Sequence, residues 1–134
     1  MMDAFSVESK AKADEWSRKI IGAAIEVHRI LGPGLLEAAY EKCLCREFDL
    51  QGIPYTRQQP IDIVYKDLLV PDAFRLDLFV AELVVVELKS VARFDPIHES
   101  QLLTHLRLTN RWLGLLLNFN VPVLKNGIMR RVRG

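Results

Sequence analysis

Three charged side chains in the middle of the chain have types and a spacing suited to binding a cation. Asp77 lies in the apolar segment 74–80, and Glu87 and Lys89 lie in the next apolar segment, 83–89. Both segments predict β-strands, in which alternate residues share a face, so Glu87 and Lys89 lie on one side of their strand. Burying unpaired charge in a sheet is costly. We expect either a bound cation or an ion pair of Lys89 with Asp77 or Glu87 to offset that cost.

The turn between these two strands decides whether the groups can meet. A three-residue loop at residues 81–83 would place Val80 opposite Val84 and Asp77 opposite Glu87, on one face. A two-residue turn would place Asp77 and Glu87 on opposite faces of the sheet. A shared site therefore requires the three-residue loop.

Two neighbouring carboxylates and a lysine suit phosphodiester hydrolysis assisted by a divalent cation. Mg²⁺ and Mn²⁺ prefer oxygen ligands, keep several waters and bind phosphate oxygens. Such an ion lowers the pKa of a bound water and offsets charge that develops on a phosphate. Lys89 can orient or deprotonate the attacking water, or stabilise the transition-state anion. On the charge pattern alone, a Mg²⁺ or Mn²⁺ site at Asp77 and Glu87 beside Lys89 and an internal ion pair of Lys89 both stay open.

The elements that must position these residues follow from the periodicity of the apolar side chains. The pattern predicts helices from Asp14 to the Gly32-Pro33-Gly34 triplet, from about Leu35 to Gly52, and over residues 95–110. It predicts strands over residues 61–65, 74–80, 83–89, 113–119 and 127–133. The order α-α-β-β-β-α-β-β predicts an α/β fold. We expect residues 1–12 to form a flexible N-terminus and residues 13–134 a single domain.

Composition and charge indicate a soluble globular protein without a general attraction for nucleic acid. The 18 basic and 17 acidic side chains give a net charge of +1, so any attraction for phosphate must be local. The following residues are candidates for phosphate contacts, although solvated surface charge is the default for each: Arg75, Lys89, Arg93, Arg107, Arg111, Lys125, Arg130, Arg131 and Arg133.

Several features favour the cytoplasm as the location of the protein. The first residues lack the basic start and apolar run of a signal peptide, and no apolar run is long enough to span a membrane. Cys43 and Cys45 point in different directions on one helix, so they predict two free thiols rather than a disulfide or a metal site. Trp16 and Trp112 have apolar neighbours at helical spacing and favour the core over base stacking.

Short motifs along the chain resemble a known nuclease family. They lie at Val27-His28, 31–34, Gly34 to Tyr40, 74–77, 86–89, 98–103 and 117–120. Together with Asp77, a gap of nine residues and Glu87-Leu88-Lys89, they resemble the GxxExxY protein family, a branch of the PD-(D/E)XK nuclease-like superfamily. The resemblance covers about residues 14 to 132.

The resemblance implies a restriction-endonuclease-like core, in which helices flank a mixed central β-sheet. Metal would be held by Asp77 and Glu87, and Lys89 would be the catalytic lysine. Pro71-Asp72 is an alternative position for the acidic ligand. Glu37 would be a further metal or water ligand, or else a carboxylate favoured by the positive end of its helix.

A helical pair of polar residues resembles the Gln-x-x-x-Tyr motif of exonuclease-like members of the superfamily. Gln101 takes the glutamine position and implies a catalytic and substrate-binding role, while His105 replaces the tyrosine. His105 and Arg75 are further candidates for substrate binding, and a neutral boundary histidine is the alternative for His105. His28 and His98 favour structural positions, and no zinc site is predicted. Tyr40 favours packing over chemistry.

The sequence therefore predicts a divalent-metal-dependent nuclease that acts on DNA or RNA. Two alternatives stay open at this stage. The chain can be a non-catalytic nucleic-acid- or protein-binding module with the nuclease fold, or it can be a small subunit of a homo-oligomer or a larger assembly. No membrane partner is expected.

Overall fold

A computed structural model describes residues 5–133 and shows two helical layers enclosing a β-sheet. The elements are α1 (Val7–Leu31), α2 (Glu37–Gln51), β1 (Tyr55–Tyr65), β2 (Leu68–Val80), β3 (Val84–Lys89), α3 (Pro96–Thr109), β4 (Leu113–Asn118) and β5 (Ile128–Val132). A short 3₁₀ helix, Leu124–Gly127, precedes β5. The predicted order α-α-β-β-β-α-β-β is confirmed.

The first helix begins earlier than the sequence pattern predicted. It starts at Val7 rather than at Asp14, and the Ser6 hydroxyl caps it by accepting a hydrogen bond from the Ser9 N–H at 3.0 Å. The prediction of a flexible segment was therefore wrong for residues 7–12, while residues 1–4 lie outside the described part of the chain. The first turns of α1 are rich in charged side chains and carry no apolar stripe, so the periodicity of apolar residues does not reveal them.

The sheet has five strands in the order β1-β2-β3-β4-β5. Among the strands of residues 5–133, only β3 and β4 are parallel to each other, and α3 makes the crossover that such a pair requires. β1 and β2 form a hairpin, and both strands are longer than the predicted 61–65 and 74–80, since their pairing runs from Tyr55 with Val80 to Tyr65 with Leu68. The first half of β1 is rich in polar residues, so the pattern of apolar residues predicted only its second half.

Two apolar clusters hold the helices on opposite faces of the sheet. The larger packs α1 and α2 against the sheet and includes Ile20, Tyr40, Phe48, Leu78, Val86 and Leu115. The smaller packs α3 and contains Leu76, Val85, Leu102, Leu106 and Leu116. Each fully buried side chain of this size contributes about 1.5–3 kcal/mol of transfer free energy. A Cβ at Gly114 would lie 2.8 Å from Leu102 Cδ1, so this glycine lets α3 approach β4 closely.

The alternation of side chains along β2 breaks at Asp77. Leu78 and Val80 belong to the cluster under α1 and α2, whereas Leu76 belongs to the cluster under α3. Strict alternation along a strand would place Leu76, Leu78 and Val80 on one face, so the strand is irregular between Leu76 and Leu78. Pairing with β1 is interrupted at the same point, because Gln58, opposite Asp77, has a φ of +51° and leaves the ladder. The interruption brings Asp77 to a point between the two faces.

Two smaller predictions are answered by the same structure. Cys43 is exposed and Cys45 is buried, and both thiols are free, as expected. Within residues 5–133, none of the helices combines the length and apolar character needed to cross a membrane.

Candidate active site

The turn between β2 and β3 has the length that a shared site requires. Val80 pairs with Val84 across a three-residue turn, and the Leu83 N–H donates to the Val80 carbonyl oxygen at 2.9 Å. The ladder continues to the pair of Leu78 with Val86 and ends there. Asp77 and Glu87 are the next residues on the two strands, so the three-residue register is confirmed.

The carboxylate of Asp77 occupies the place where the two strands separate. Its Oδ2 atom accepts a hydrogen bond from the Leu88 N–H at 2.8 Å. Burial raises the pKa of Asp77 from its ordinary value of 3.8 to about 7, and the charge of Glu87 adds to the increase. The bond from Leu88 acts in the opposite direction but does not cancel these effects. Two crowded carboxylates of this kind favour a proton or a cation between them.

Glu87 is buried and is contacted by a histidine from α3. Its side chain is 10 % exposed, and its Oε1 atom lies 2.8 Å from Nδ1 of His105. The imidazole also stacks on Phe74, with ring centroids 4.4 Å apart and an interplanar angle of 14°. In the tautomer that carries its proton on Nδ1, His105 donates this hydrogen bond to Glu87. His105 is therefore fixed against Glu87 rather than free at the surface.

One cavity of about 210 Å³ brings the candidate residues together between β2, β3 and α3. Its lining consists of Glu37, Arg75, Asp77, Glu87, Lys89, His98, Gln101, Leu102, His105 and Leu116. The set includes the acidic pair and lysine of the predicted site, together with Glu37, Arg75, Gln101 and His105. Gln101 is exposed on α3 one turn before His105, so its amide faces the open side.

Lys89 ends β3 at the edge of the cavity. Within the described residues it forms no ion pair with Asp77 or Glu87, so the predicted alternative of an internal ion pair is not observed. Its carbonyl oxygen accepts the Phe119 N–H at 3.0 Å. The segment after it is held by buried Asn118, whose Oδ1 accepts the Val91 N–H at 3.1 Å. Lys89 thus has a fixed backbone and an amino group available to a ligand.

Glu37 reaches the cavity from the first turn of α2. Its Oε1 atom accepts a hydrogen bond from the Ser90 N–H at 3.4 Å, just beyond Lys89. The Ser90 hydroxyl donates to the Leu35 carbonyl oxygen at 2.6 Å, which ties the start of α2 to the end of β3. This position agrees with both predicted interpretations of Glu37, as a ligand near the site and as a helix N-terminal carboxylate.

The spacing of Gly34, Glu37 and Tyr40 has a physical explanation in the turn before α2. Tyr40 is buried, and its hydroxyl donates to the Gly32 carbonyl oxygen at 2.6 Å and accepts the Leu35 N–H at 3.1 Å. Gly34 has a φ of +100°, which a side chain would disfavour. Tyr40 therefore fixes the turn from which Glu37 projects, and its role is packing, as the sequence suggested.

Comparison with known proteins identifies the family of the chain. A family model described as the PD-(D/E)XK nuclease superfamily matches residues 14–132. The chain belongs to this superfamily. A search of curated proteins and a search of solved structures gave no match. The restriction-endonuclease-like core that the sequence predicted, a mixed five-stranded sheet flanked by helices, is confirmed by the match and the fold together.

The residues present fit a small hard cation of the kind that PD-(D/E)XK nucleases generally use. Asp77 and Glu87 supply oxygen donors side by side, and burial together with the charge of Glu87 raises the pKa of Asp77 to about 7, an effect that a bound cation would offset. Among residues 5–133, no group of three His, Cys, Asp or Glu side chains is arranged to hold a metal ion. Mg²⁺ does not require one, because it commonly binds through one or two carboxylates and several waters.

Other candidates lie away from this cavity of the nuclease domain. Asp72 is exposed and pairs with Arg75 at 2.8 Å but does not line the cavity, so the geometry gives it no support as the acidic ligand. Arg111 lies beside a larger cavity, about 670 Å³, at the β2–β3 turn, and none of Asp77, Glu87 and Lys89 lines it. Three C-terminal arginines bond elsewhere: Arg130 to Asp14, Arg131 to Glu99 and Arg133 to Asn110.

Sequence reasoning missed a second polar group beside Asp77. Glu41 is 6 % exposed, and its two carboxylate oxygens accept hydrogen bonds from Arg57 and Gln58. The available signal was the position of Glu41 on α2, where it shares the buried face with Leu44 and Phe48. A carboxylate on an apolar helical face predicts a buried partner.

Proposed function

We propose that this protein is a nuclease that hydrolyses phosphodiester bonds of DNA or RNA with Mg²⁺ or Mn²⁺. The observation that carries the proposal is the arrangement of Asp77, Glu87 and Lys89 around one cavity in a chain of the PD-(D/E)XK superfamily. Near-neutral net charge does not oppose it, because the cation and local side chains supply the attraction for phosphate.

Asp77 and Glu87 would hold the cation, with Glu37 as a further ligand to the metal or to one of its waters. When bound, the cation supplies positive charge that offsets the charge developing on the phosphate. The environment of Asp77 favours this arrangement. Burial and the charge of Glu87 raise the pKa of Asp77 to about 7, and a bound cation would offset both effects.

Lys89 would act as the catalytic lysine at the edge of the cavity. Its amino group is not engaged by Asp77 or Glu87, so it can donate hydrogen bonds to a phosphate oxygen or to the attacking water. Gln101, on the open side of α3, would hold the substrate or the water through its amide. Arg75 would contact phosphate with the part of its guanidinium that Asp72 leaves exposed.

The role of His105 differs from that of a tyrosine in the resembled motif. Its Nδ1 side holds Glu87, which leaves the Nε2 side to face substrate. We assign the chain to the GxxExxY branch of the superfamily on the motif around Glu37 and Tyr40. The competing function, a binding module without catalysis, would not need Lys89 beside a pair of carboxylates.

A cleavage assay on mixed substrates tests this function. Wild type and the Asp77→Asn and Lys89→Ala variants would be incubated with single- and double-stranded DNA and RNA, with Mg²⁺, Mn²⁺ or excess EDTA. We expect metal-dependent cleavage of at least one substrate by wild type, and a loss or a large reduction of that cleavage in both variants. Binding of nucleic acid without cleavage under every condition would favour the non-catalytic module instead.

A further inference from the structure

A second cavity lies on the opposite side of Asp77 from the first. Its volume is about 370 Å³, and it is lined by Glu37, Ala38, Glu41, Arg57, Gln58, Asp77 and Leu88. Asp77 and Glu37 line both cavities, so they form the wall between them. A nucleic-acid strand bound across Asp77 and Glu37 would place one phosphate in the first cavity and a neighbouring group of the same strand in the second cavity.

Arg57 is held in this second cavity by a buried carboxylate. Its Nε atom donates to Oε2 of Glu41 at 2.5 Å, and Gln58 donates to the other oxygen at 2.6 Å. The Glu41 side chain is 8 % exposed, whereas the Arg57 side chain is 49 % exposed. The guanidinium is therefore anchored through Nε, while its terminal nitrogens form no hydrogen bond with the described protein residues.

The backbone of β1 is distorted in a way that produces this arrangement. Successive residues on a strand normally point to opposite faces, yet Arg57 and Gln58 both contact Glu41. The positive φ of Gln58, +51°, allows this and removes the pairing opposite Asp77. The fold therefore fixes Arg57 at the side of the candidate metal site.

We propose that the cavity at Arg57 binds a phosphate of the nucleic-acid strand that neighbours the phosphate being cleaved. This inference rests on the proposed nuclease function and extends it to a second substrate contact. An arginine anchored through Nε presents two terminal nitrogens in a fixed fork, which matches two phosphate oxygens. Arg75 has the corresponding place in the first cavity, so an arginine flanks the carboxylates on each side.

The charges around Arg57 make this contact dependent on the cation. Glu41 already neutralises Arg57, and Glu37 and Asp77 add negative charge to the same cavity. A cation held by Asp77 and Glu87 offsets the negative charge of the carboxylates around Arg57. The two terminal nitrogens of Arg57 can then bind a phosphate. Arg57 is therefore expected to contribute to binding when a divalent cation is present and to contribute little in EDTA.

The test compares Arg57→Gln with a matched charge-removing control, Arg46→Gln. Arg46 is exposed on α2 and lies outside both cavities, beside Val27 and Ile30. Binding of fluorescein-labelled single- and double-stranded DNA and RNA would be followed by anisotropy, with Ca²⁺ replacing Mg²⁺ as the hard cation. Salt would be varied from about 50 to about 200 mM. Mn²⁺ affinity would be measured on the same proteins.

We expect Arg57→Gln to bind the preferred polynucleotide about tenfold more weakly and to shift the slope of log affinity against log salt by about 0.7–0.9. Mn²⁺ affinity should stay at the wild-type value, and Arg46→Gln should behave as wild type. Equal behaviour of the two variants would overturn the inference, as would a loss of Mn²⁺ affinity in Arg57→Gln without a change of salt slope.

A second variant separates phosphate binding from folding. The double variant Glu41→Gln/Arg57→Gln leaves no unpaired buried charge, and it must show the same loss of binding and the same slope. A double variant with wild-type binding would overturn the inference. If wild type neither binds nor cleaves any polynucleotide, the proposed function itself fails; if wild type cleaves and Arg57→Gln matches the control, only this inference fails.

Discussion

The Nδ1 atom of His105 lies 2.8 Å from Oε1 of Glu87, while the imidazole stacks on Phe74 at a centroid distance of 4.4 Å. The stacking on Phe74 fixes the plane of the His105 ring. The hydrogen bond fixes the direction of the ring and the position of one oxygen of Glu87. Partners of this kind orient metal ligands in proteins, and removing them commonly costs a factor of about 10–100 in metal affinity. His105 is thus placed to hold Glu87 in the orientation that a cation requires.

Replacement of His105 by phenylalanine should weaken metal binding. His105→Phe keeps a flat ring for Phe74 but loses the donor to Glu87, so we expect Mn²⁺ affinity to fall about 10–100-fold in isothermal titration. His105→Asn places an amide N–H near the position of Nδ1 and should recover part of that loss. Equal affinities for wild type and His105→Phe would show that the contact only packs α3 against the sheet.

Metal affinity should depend on pH through Asp77. Burial and the nearby Glu87 raise the pKa of Asp77 to about 7, and a protonated carboxyl does not bind a cation. Affinity for Mg²⁺ should therefore increase by up to about tenfold per pH unit between about pH 5 and pH 7 and then level off. Titrations in a buffer series measure this, and a flat affinity across that range would contradict it.

The stability of the metal-free protein should decrease as the pH rises, whereas the metal affinity increases. The pKa of Asp77 is higher in the folded protein, about 7, than its ordinary value of 3.8, so the fold favours the protonated form. The stabilising contribution is complete below pH 3.8 and is lost as the pH rises through about 7.

Asp77→Asn removes this dependence and keeps an oxygen for the Leu88 N–H. The variant should gain stability relative to wild type as the pH increases from 3.8 to about 7, by less than about 1.4 kcal/mol per unit because Asp77 is partly exposed, and the difference should level off at higher pH. Urea unfolding in EDTA measures the difference. A difference that is independent of pH would contradict the raised pKa.

Lys89 should matter for the reaction and little for stability. It forms no ion pair with the carboxylates, so Lys89→Ala should keep metal affinity and unfold within about 0.5 kcal/mol of wild type. Cleavage should fall about 10²–10³-fold, in the range found when one transition-state donor is removed. Lys42→Ala, an exposed lysine on α2, is the matched control and should retain full activity.

A loss of metal affinity in Lys89→Ala would assign the lysine a structural role at the carboxylates. Equal cleavage rates for Lys89→Ala and Lys42→Ala would remove it from the reaction. Both rates would be measured with saturating metal on the substrate that wild type cleaves fastest.

The proximity of Asp77 and Glu87 could be predicted from the sequence because it depends on local rules of strand geometry. A three-residue loop makes Asp77 and Glu87 the next residues after the last pair of the ladder, and the structure has that loop. The position of His105 one turn after Gln101 likewise follows from helical geometry. That His105 contacts Glu87 required the packing of α3, which Gly114 and Leu102 set and no local pattern reveals.

The distortion beside Asp77 could not be predicted in the same way. Gln58 leaves the strand conformation because buried Glu41, on another element, accepts hydrogen bonds from both Arg57 and Gln58. This long-range requirement overrides strand alternation locally and moves Leu76 to the α3 side. A carboxylate on the apolar face of α2 predicts some partner, but not which residue supplies it.

The most direct test of the proposed site is titration of Mn²⁺ into wild type and into the Asp77→Asn/Glu87→Gln double variant. Both replacements keep the shape of the side chain and remove the negative charge. We predict saturable binding by wild type near pH 8 and its loss in the double variant, with both proteins folded by circular dichroism. Equal binding by the two proteins, or no specific binding by wild type, would contradict the assignment of Asp77 and Glu87 as the metal-binding pair.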